Sequence, residues 1–192
     1  MLIKVCGLTR QQDLDLCASL KVDLCGFVFH RPSPRYISPE AAGQLDSHTC
    51  RRVGVFTTHD PEQILRDAQT ARLDWIQLHA NQTDQLIRQI DPRRTIRVWT
   101  PATTWPLHAP LTPYILMDAG YGTGRCLDWH NLPHTNTPFI IAGGLDATTV
   151  PAMLQILNPA GIDLNSGVET APGIKDHRKL SNLLEQLKDY HE

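Results

Sequence analysis

Cys6, Arg35, His79 and Asp118 are the side chains whose types suit reaction chemistry, and two glycine-bearing pairs, Gly143-Gly144 and Ser166-Gly167, join them near the far end. Cys6 follows the apolar run Leu2-Ile3-Lys4-Val5 and precedes Gly7-Leu8-Thr9, where a strand is expected to give way to a helix. Amides at a helix N-terminus lower the cost of a thiolate, so a cysteine there can act as a base or a nucleophile. Taken alone it would more often be a small buried hydrophobe. Arg35 taken alone would be a solvated surface charge, and His79 an orienting or packing imidazole more often than a direct substrate contact. Glycine pairs that open a helix present backbone N–H groups to an anion, and phosphate is the anion they suit best.

These positions make a site only if the elements carrying them converge. Eight short apolar runs read as strands: Leu2 to Cys6, Leu24 to Phe29, Arg52 to Phe56, Trp75 to His79, Thr95 to Trp99, Tyr114 to Met117, Phe139 to Ala142 and Gly161 to Asn165. Amphipathic stretches lie between them, near Gln11 to Leu20, Pro39 to Ser47, Pro61 to Arg72, Thr83 to Ile90, Ala147 to Leu157 and Lys175 to Tyr190. Eight alternations predict an α/β protein, a (β/α)8 TIM barrel of minimal size, as one domain over residues 1–192. The stretch from Pro101 to Pro113 holds four prolines, so the helix after the fifth strand is expected to be short or missing. An open doubly wound sheet is the alternative, and no GxGxxG turn or P-loop favours it.

In a barrel, chemistry gathers at the carboxyl ends of the strands. Cys6 ends the first strand, Arg35 lies in the second loop, His79 ends the fourth strand and Asp118 the sixth. The glycine pairs follow the seventh and eighth, where barrels commonly bind phosphate. Side chains two apart on a strand share a face, so Lys4 points inward with Cys6. The eighth strand neighbours the first, and a Lys4–Asp163 pair is expected inside the barrel, either structural or setting the field beneath Cys6. Gln77 is expected to point inward below His79. Asp128 reads as a helix-start or loop-fixing residue.

The formal net charge of -2 offers no global attraction for nucleic acid or an anionic membrane, and any phosphate site must be built locally. No apolar run has the length of a membrane span, and Lys4 interrupts the apolar stretch that a signal sequence would need. Five scattered cysteines without a CxxC argue against a disulfide framework and a zinc site, and make reduced cytoplasm the expected compartment. Cys17, Cys25, Cys50 and Cys126 read as buried or incidental.

The segments KVCGLTR (Lys4 to Arg10), GFVFHRPSPRYIS (Gly26 to Ser38), RVGVF (Arg52 to Phe56), IQLH (Ile76 to His79), LMDAGYGTGRCLDW (Leu116 to Trp129), IAGGL (Ile141 to Leu145) and NSGVETAPGIKD (Asn165 to Asp176) together resemble phosphoribosylanthranilate isomerase. The match runs in order from end to end. The resemblance implies a barrel enzyme of tryptophan biosynthesis with no metal and no organic cofactor, performing an Amadori rearrangement of a small phosphoribosyl substrate. It implies Cys6 as general base, Asp118 as general acid, Arg35 against the anthranilate carboxylate, and Gly143, Gly144, Ser166 and Gly167 around the phosphate. It also admits association with neighbouring tryptophan-pathway enzymes. For these roles Asp118 is expected to have a raised pKa and Cys6 a thiolate stabilised by the helix at Gly7 to Thr9.

Three departures stand out: Ala80 replaces a glycine common in the family, Asn165 a serine, and Tyr121 one of a Gly-Gly pair. The stretch Gly120 to Arg125 lacks P-loop spacing and reads as a mobile loop over the substrate. Two other functions are open to such a barrel. A histidine-pathway barrel isomerase would prefer paired aspartates, which Cys6 disfavours, and a degenerate barrel serving as a binding module would not need Cys6, Arg35 and Asp118 intact.

Overall fold

Eight parallel strands close into a barrel in chain order: β1 (Leu2–Val5), β2 (Leu24–Val28), β3 (Arg51–Phe56), β4 (Trp75–Leu78), β5 (Thr95–Trp99), β6 (Tyr114–Met117), β7 (Phe139–Ala142) and β8 (Gly161–Leu164). The computed structural model describes residues 1–79, 83–102, 111–120 and 126–190. Helices α1 (Gln11–Ser19), α2 (Pro39–Gln44), α3 (Pro61–Thr70), α4 (Asp84–Ile90), α5 (Thr149–Ile156) and α6 (His177–Gln186) follow β1 to β4, β7 and β8. After β6 the described chain makes only a short 3-10 turn, Trp129–Asn131, opened by the Asp128 carboxylate accepting from the His130 N–H. The segment expected to lack a helix after β5 falls largely on residues 103–110, and the expected loop over the substrate on residues 121–125. Both lie outside the described residues, as do Ala80 and Tyr121.

Helix starts follow from local sequence. Ser38 and Asp60 cap α2 and α3 while Pro39 and Pro61 take the first helical position, where a missing N–H costs nothing. Thr83 and Asp176 cap α4 and α6, each such bond contributing about 1 kcal/mol. On α6, Leu180, Leu183 and Leu184 repeat at three- and four-residue spacing and are buried against the barrel. The first helix opens at Gln11, where its amphipathic stretch was expected to begin, but its N-terminus does not reach back to Gly7 to Thr9: Arg10 stands at the cap position and Gly7 has φ 70°, outside any helix. The amides meant to hold Cys6 as thiolate are therefore not those of a helix at Gly7 to Thr9. A two-stranded hairpin, β9 (Glu169–Ala171) and β10 (Ile174–Lys175), was also not foreseen. Gly173, at φ 79°, turns the chain so that Lys175 ends on a strand rather than opening the last helix.

One large apolar layer fills the space between strands and helices. A smaller one, Leu24, Val53, Ile96, Val98, Leu116, Ile140 and Ala142, plugs the barrel. Lys4, Gln77 and Asp163 are also buried, and they give the barrel a polar floor.

Candidate active site

A cavity of about 520 Å3 opens at the carboxyl ends of the strands, and Cys6, Arg35, His79, Asp118, Gly143, Gly144 and Ser166 all line it. Gly143 and Gly144 have φ of 91° and 63°, a left-handed turn that side chains resist. Gly167 is the expected contact that does not line the cavity. It lies beneath the wall, where a Cβ would press on the Leu145 carbonyl and come within 3.0 Å of Asp146 Cβ, so it lets the loops after β7 and β8 pack together.

The floor is built from the β1–β8 seam. Lys4 pairs with Asp163 in register, and its Nζ donates to Asp163 Oδ2 at 2.7 Å. Burial pushes the Lys4 pKa down, but the charges of Asp163 and Cys6 outweigh it and hold the ammonium above its usual range. Asp163 is pushed up by burial and by the charge of Asp118, and the Lys4 pair offsets this only in part, so its pKa stays raised. Cys6 is pushed up by burial, against the opposing pull of Lys4. On β2, Gly26 leaves the space these groups occupy: a Cβ there would meet Cys6 Sγ at 2.8 Å and Lys4 Nζ at 3.1 Å. A glycine inside a strand marks such a close approach, and this signal was present in the sequence and missed.

Asp118 sits at the end of β6. Its Oδ1 accepts from the Gly120 N–H at 3.2 Å, and its Oδ2 lies 3.2 Å from His79 Nε2. Burial raises the pKa of Asp118, but the His79 and Gly120 hydrogen bonds, with the charges of His79 and Lys4, bring it below the usual carboxylate range. The expectation of a raised pKa is thus reversed. The cause is the imidazole, which makes His79 the orienting partner of the carboxylate.

Arg35, in the loop after β2, is held by Glu169 of β9. Its Nε lies 3.1 Å from both Glu169 oxygens and its Nη2 donates to Oε2 at 2.7 Å. Lys175 of β10 donates to the same carboxylate at 2.8 Å and to Asn165 Oδ1 at 2.9 Å. Neither Glu169 nor Lys175 was singled out from the sequence. Of the remaining cysteines, Cys17, Cys25 and Cys50 are buried and Cys126 is exposed.

The family model described as N-(5'phosphoribosyl)anthranilate (PRA) isomerase matches residues 3–186. The N-(5'-phosphoribosyl)anthranilate isomerase of Desulfovibrio desulfuricans is 45% identical over 198 residues, covering 96% of this chain and 94% of the relative. The chain belongs to the phosphoribosylanthranilate isomerase family. Among solved isomerases of this family, the Thermus thermophilus enzyme superposes with a TM-score of 0.86 at 30% identity, with each chain covered in full. A second, in complex with reduced 1-(o-carboxyphenylamino)-1-deoxyribulose 5-phosphate, gives 0.79 at 28% identity, covering 98% of this chain and 100% of that one. The family's barrel is thus present here, and among the described residues no helix is long and apolar enough to cross a membrane.

Proposed function

We propose that Cys6 and Asp118 carry out, as base and acid, the isomerisation of N-(5'-phosphoribosyl)anthranilate to 1-(2-carboxyphenylamino)-1-deoxyribulose 5-phosphate. The observation that carries this reading is the convergence of a thiol, a carboxyl group, a guanidinium and the Gly143-Gly144 turn on one cavity. The substrate has an anion at each end. Arg35 suits the planar carboxylate and the loops after β7 and β8 suit the phosphate, which leaves the sugar between Cys6 and Asp118. Such clamping supplies the effective molarity that a two-residue catalyst needs.

In the first step protonated Asp118 donates to the ring oxygen, the C1–O bond breaks, and the nitrogen lone pair forms a Schiff base to C1. The Cys6 thiolate then takes the proton from C2, giving an enolamine. Ketonisation returns a proton to C1 and releases that of the 2-hydroxyl, so no net proton is gained or lost. The pKa directions at the site hold the resting pair with the thiol protonated and the carboxyl ionised. The reacting form is its tautomer, with the proton moved from Cys6 to Asp118, and the Lys4 ammonium beside Cys6 lowers its cost. Gln77 Oε1 and Asp163 Oδ1 are buried acceptors without a partner among the described residues, and both residues line the cavity. The substrate's hydroxyls satisfy them. Purified protein supplied with phosphoribosylanthranilate is expected to consume it, followed by loss of its fluorescence; no consumption would overturn the assignment.

A further inference from the structure

The guanidinium of Arg35 is committed on one edge only. Glu169 takes Nε and one hydrogen of Nη2, while among the described residues Nη1 donates to nothing. The edge formed by Nη1 and Nη2 thus remains for a second carboxylate, at a residue that lines the cavity. Glu169 is itself anchored. Its side chain is 4% exposed, and Oε1 also accepts from Lys175 Nζ at 2.8 Å and from the Gly173 N–H at 3.1 Å. Lys175, whose side chain is fully buried, reaches on to Asn165 Oδ1, and Asn165 lines the cavity beside Ser166. Gly7 lets this assembly close: a Cβ there would meet Arg35 Cδ at 2.7 Å and Asn165 Oδ1 at 2.9 Å.

We infer that Glu169 and Lys175, on the hairpin after β8, are positioning residues that aim the free edge of Arg35 at the carboxylate of the substrate's aromatic ring and so set the preference for a carboxylated arylamine. Asn165 is the near end of the same chain of contacts, which gives the departure from serine a role: its carbonyl oxygen accepts from a buried lysine. A fixed guanidinium loses less side-chain entropy on binding than a free one. One carboxylate between two cations leaves the guanidinium with less than a full counter-charge, so it still attracts a second anion.

The inference rests on the function proposed above. Its test compares two substrates, phosphoribosylanthranilate and the adduct of ribose 5-phosphate with aniline, which lacks the carboxylate. Glu169→Gln is expected to raise KM for the first roughly tenfold, the worth of one charge-assisted hydrogen bond, with kcat held within about twofold. Its kcat/KM for the aniline adduct is expected to stay at the wild-type value, which also reports that the variant is folded. Glu169→Asp, which keeps the charge, is expected to fall between the two. An equal loss on both substrates, or an unchanged preference in a Glu169→Gln protein active on both, would overturn the inference while leaving the function standing. Wild-type protein inert toward both would remove the function and the inference together.

Discussion

Replacing Gly26 by alanine changes no ionisable group, yet it is expected to damage catalysis by moving the thiol. Gly26 sits on β2 in ordinary extended backbone, paired with Val53, so the alanine backbone itself carries no strain. The new methyl would stand 2.8 Å from Cys6 Sγ, 3.0 Å from Cys6 Cα and 3.1 Å from Lys4 Nζ. Ordinary contact begins at 3.4 Å, so the sulfur must retreat by about 0.6 Å while the backbone beside it has little freedom to follow. A misplacement of about 1 Å costs roughly a hundredfold in rate, so kcat is expected to fall roughly ten- to twentyfold. KM is expected to change little, because Arg35 and the loops after β7 and β8 are untouched. Overpacking at this site is expected to cost about 1–3 kcal/mol, lowering the melting temperature by about 2–10 °C at this chain length. Steady-state kinetics together with a thermal melt followed by circular dichroism checks both. A variant with lowered melting temperature and wild-type kcat would refute the claim that the position of Cys6 Sγ matters.

Two pH predictions follow from the directions of the shifts. Because the thiol is held high and the carboxyl low, the fraction in the reacting tautomer is constant between the two pKa values; kcat/KM is expected to be flat through neutrality, with an acid limb below the usual 3.8 of an aspartate and an alkaline limb above the usual 9.0 of the thiol. A steep rise through neutrality would contradict this assignment of protonation states. Glu169 is pushed up by burial but brought below its usual 4.5 by Arg35 and Lys175, so its ionised form stabilises the folded state above that value, and the contribution is lost as pH falls through the depressed pKa. Melting temperatures measured on either side of 4.5 are expected to fall less steeply toward acid in Glu169→Gln than in wild type, and equal slopes would count against the buried ion pairs as their cause.

The barrel was legible because each strand is a short apolar run and helices α2, α3, α4 and α6 announce themselves by a cap or an opening proline, signals that act over a few residues. The carboxyl ends of those strands then located Cys6, His79 and Asp118 without knowledge of packing. Protonation was not legible, since it depends on neighbours distant in the chain: His79 is 39 residues from Asp118, and its hydrogen bond reverses the shift that burial alone would give. The grip on Arg35 was hidden for the same reason, Glu169 being 134 residues away on a hairpin that reads in sequence as a loop before a helix. Parity along β1 and β8 could place Lys4 opposite Asp163, because strand register is periodic. It could not tell that Gly26 leaves room for both Lys4 and Cys6, which is a matter of volume rather than period.

In the proposed reaction Cys6 and Asp118 act as a proton-transfer pair in a site whose binding groups are separate from them. Turnover of phosphoribosylanthranilate by Cys6→Ala and Asp118→Asn, measured beside calorimetric binding of the reduced product analogue, tests this most directly. Each variant is expected to lose roughly 10²- to 10⁴-fold in kcat while binding the analogue within a few-fold of wild type. Wild-type kcat in either variant would contradict the assignment.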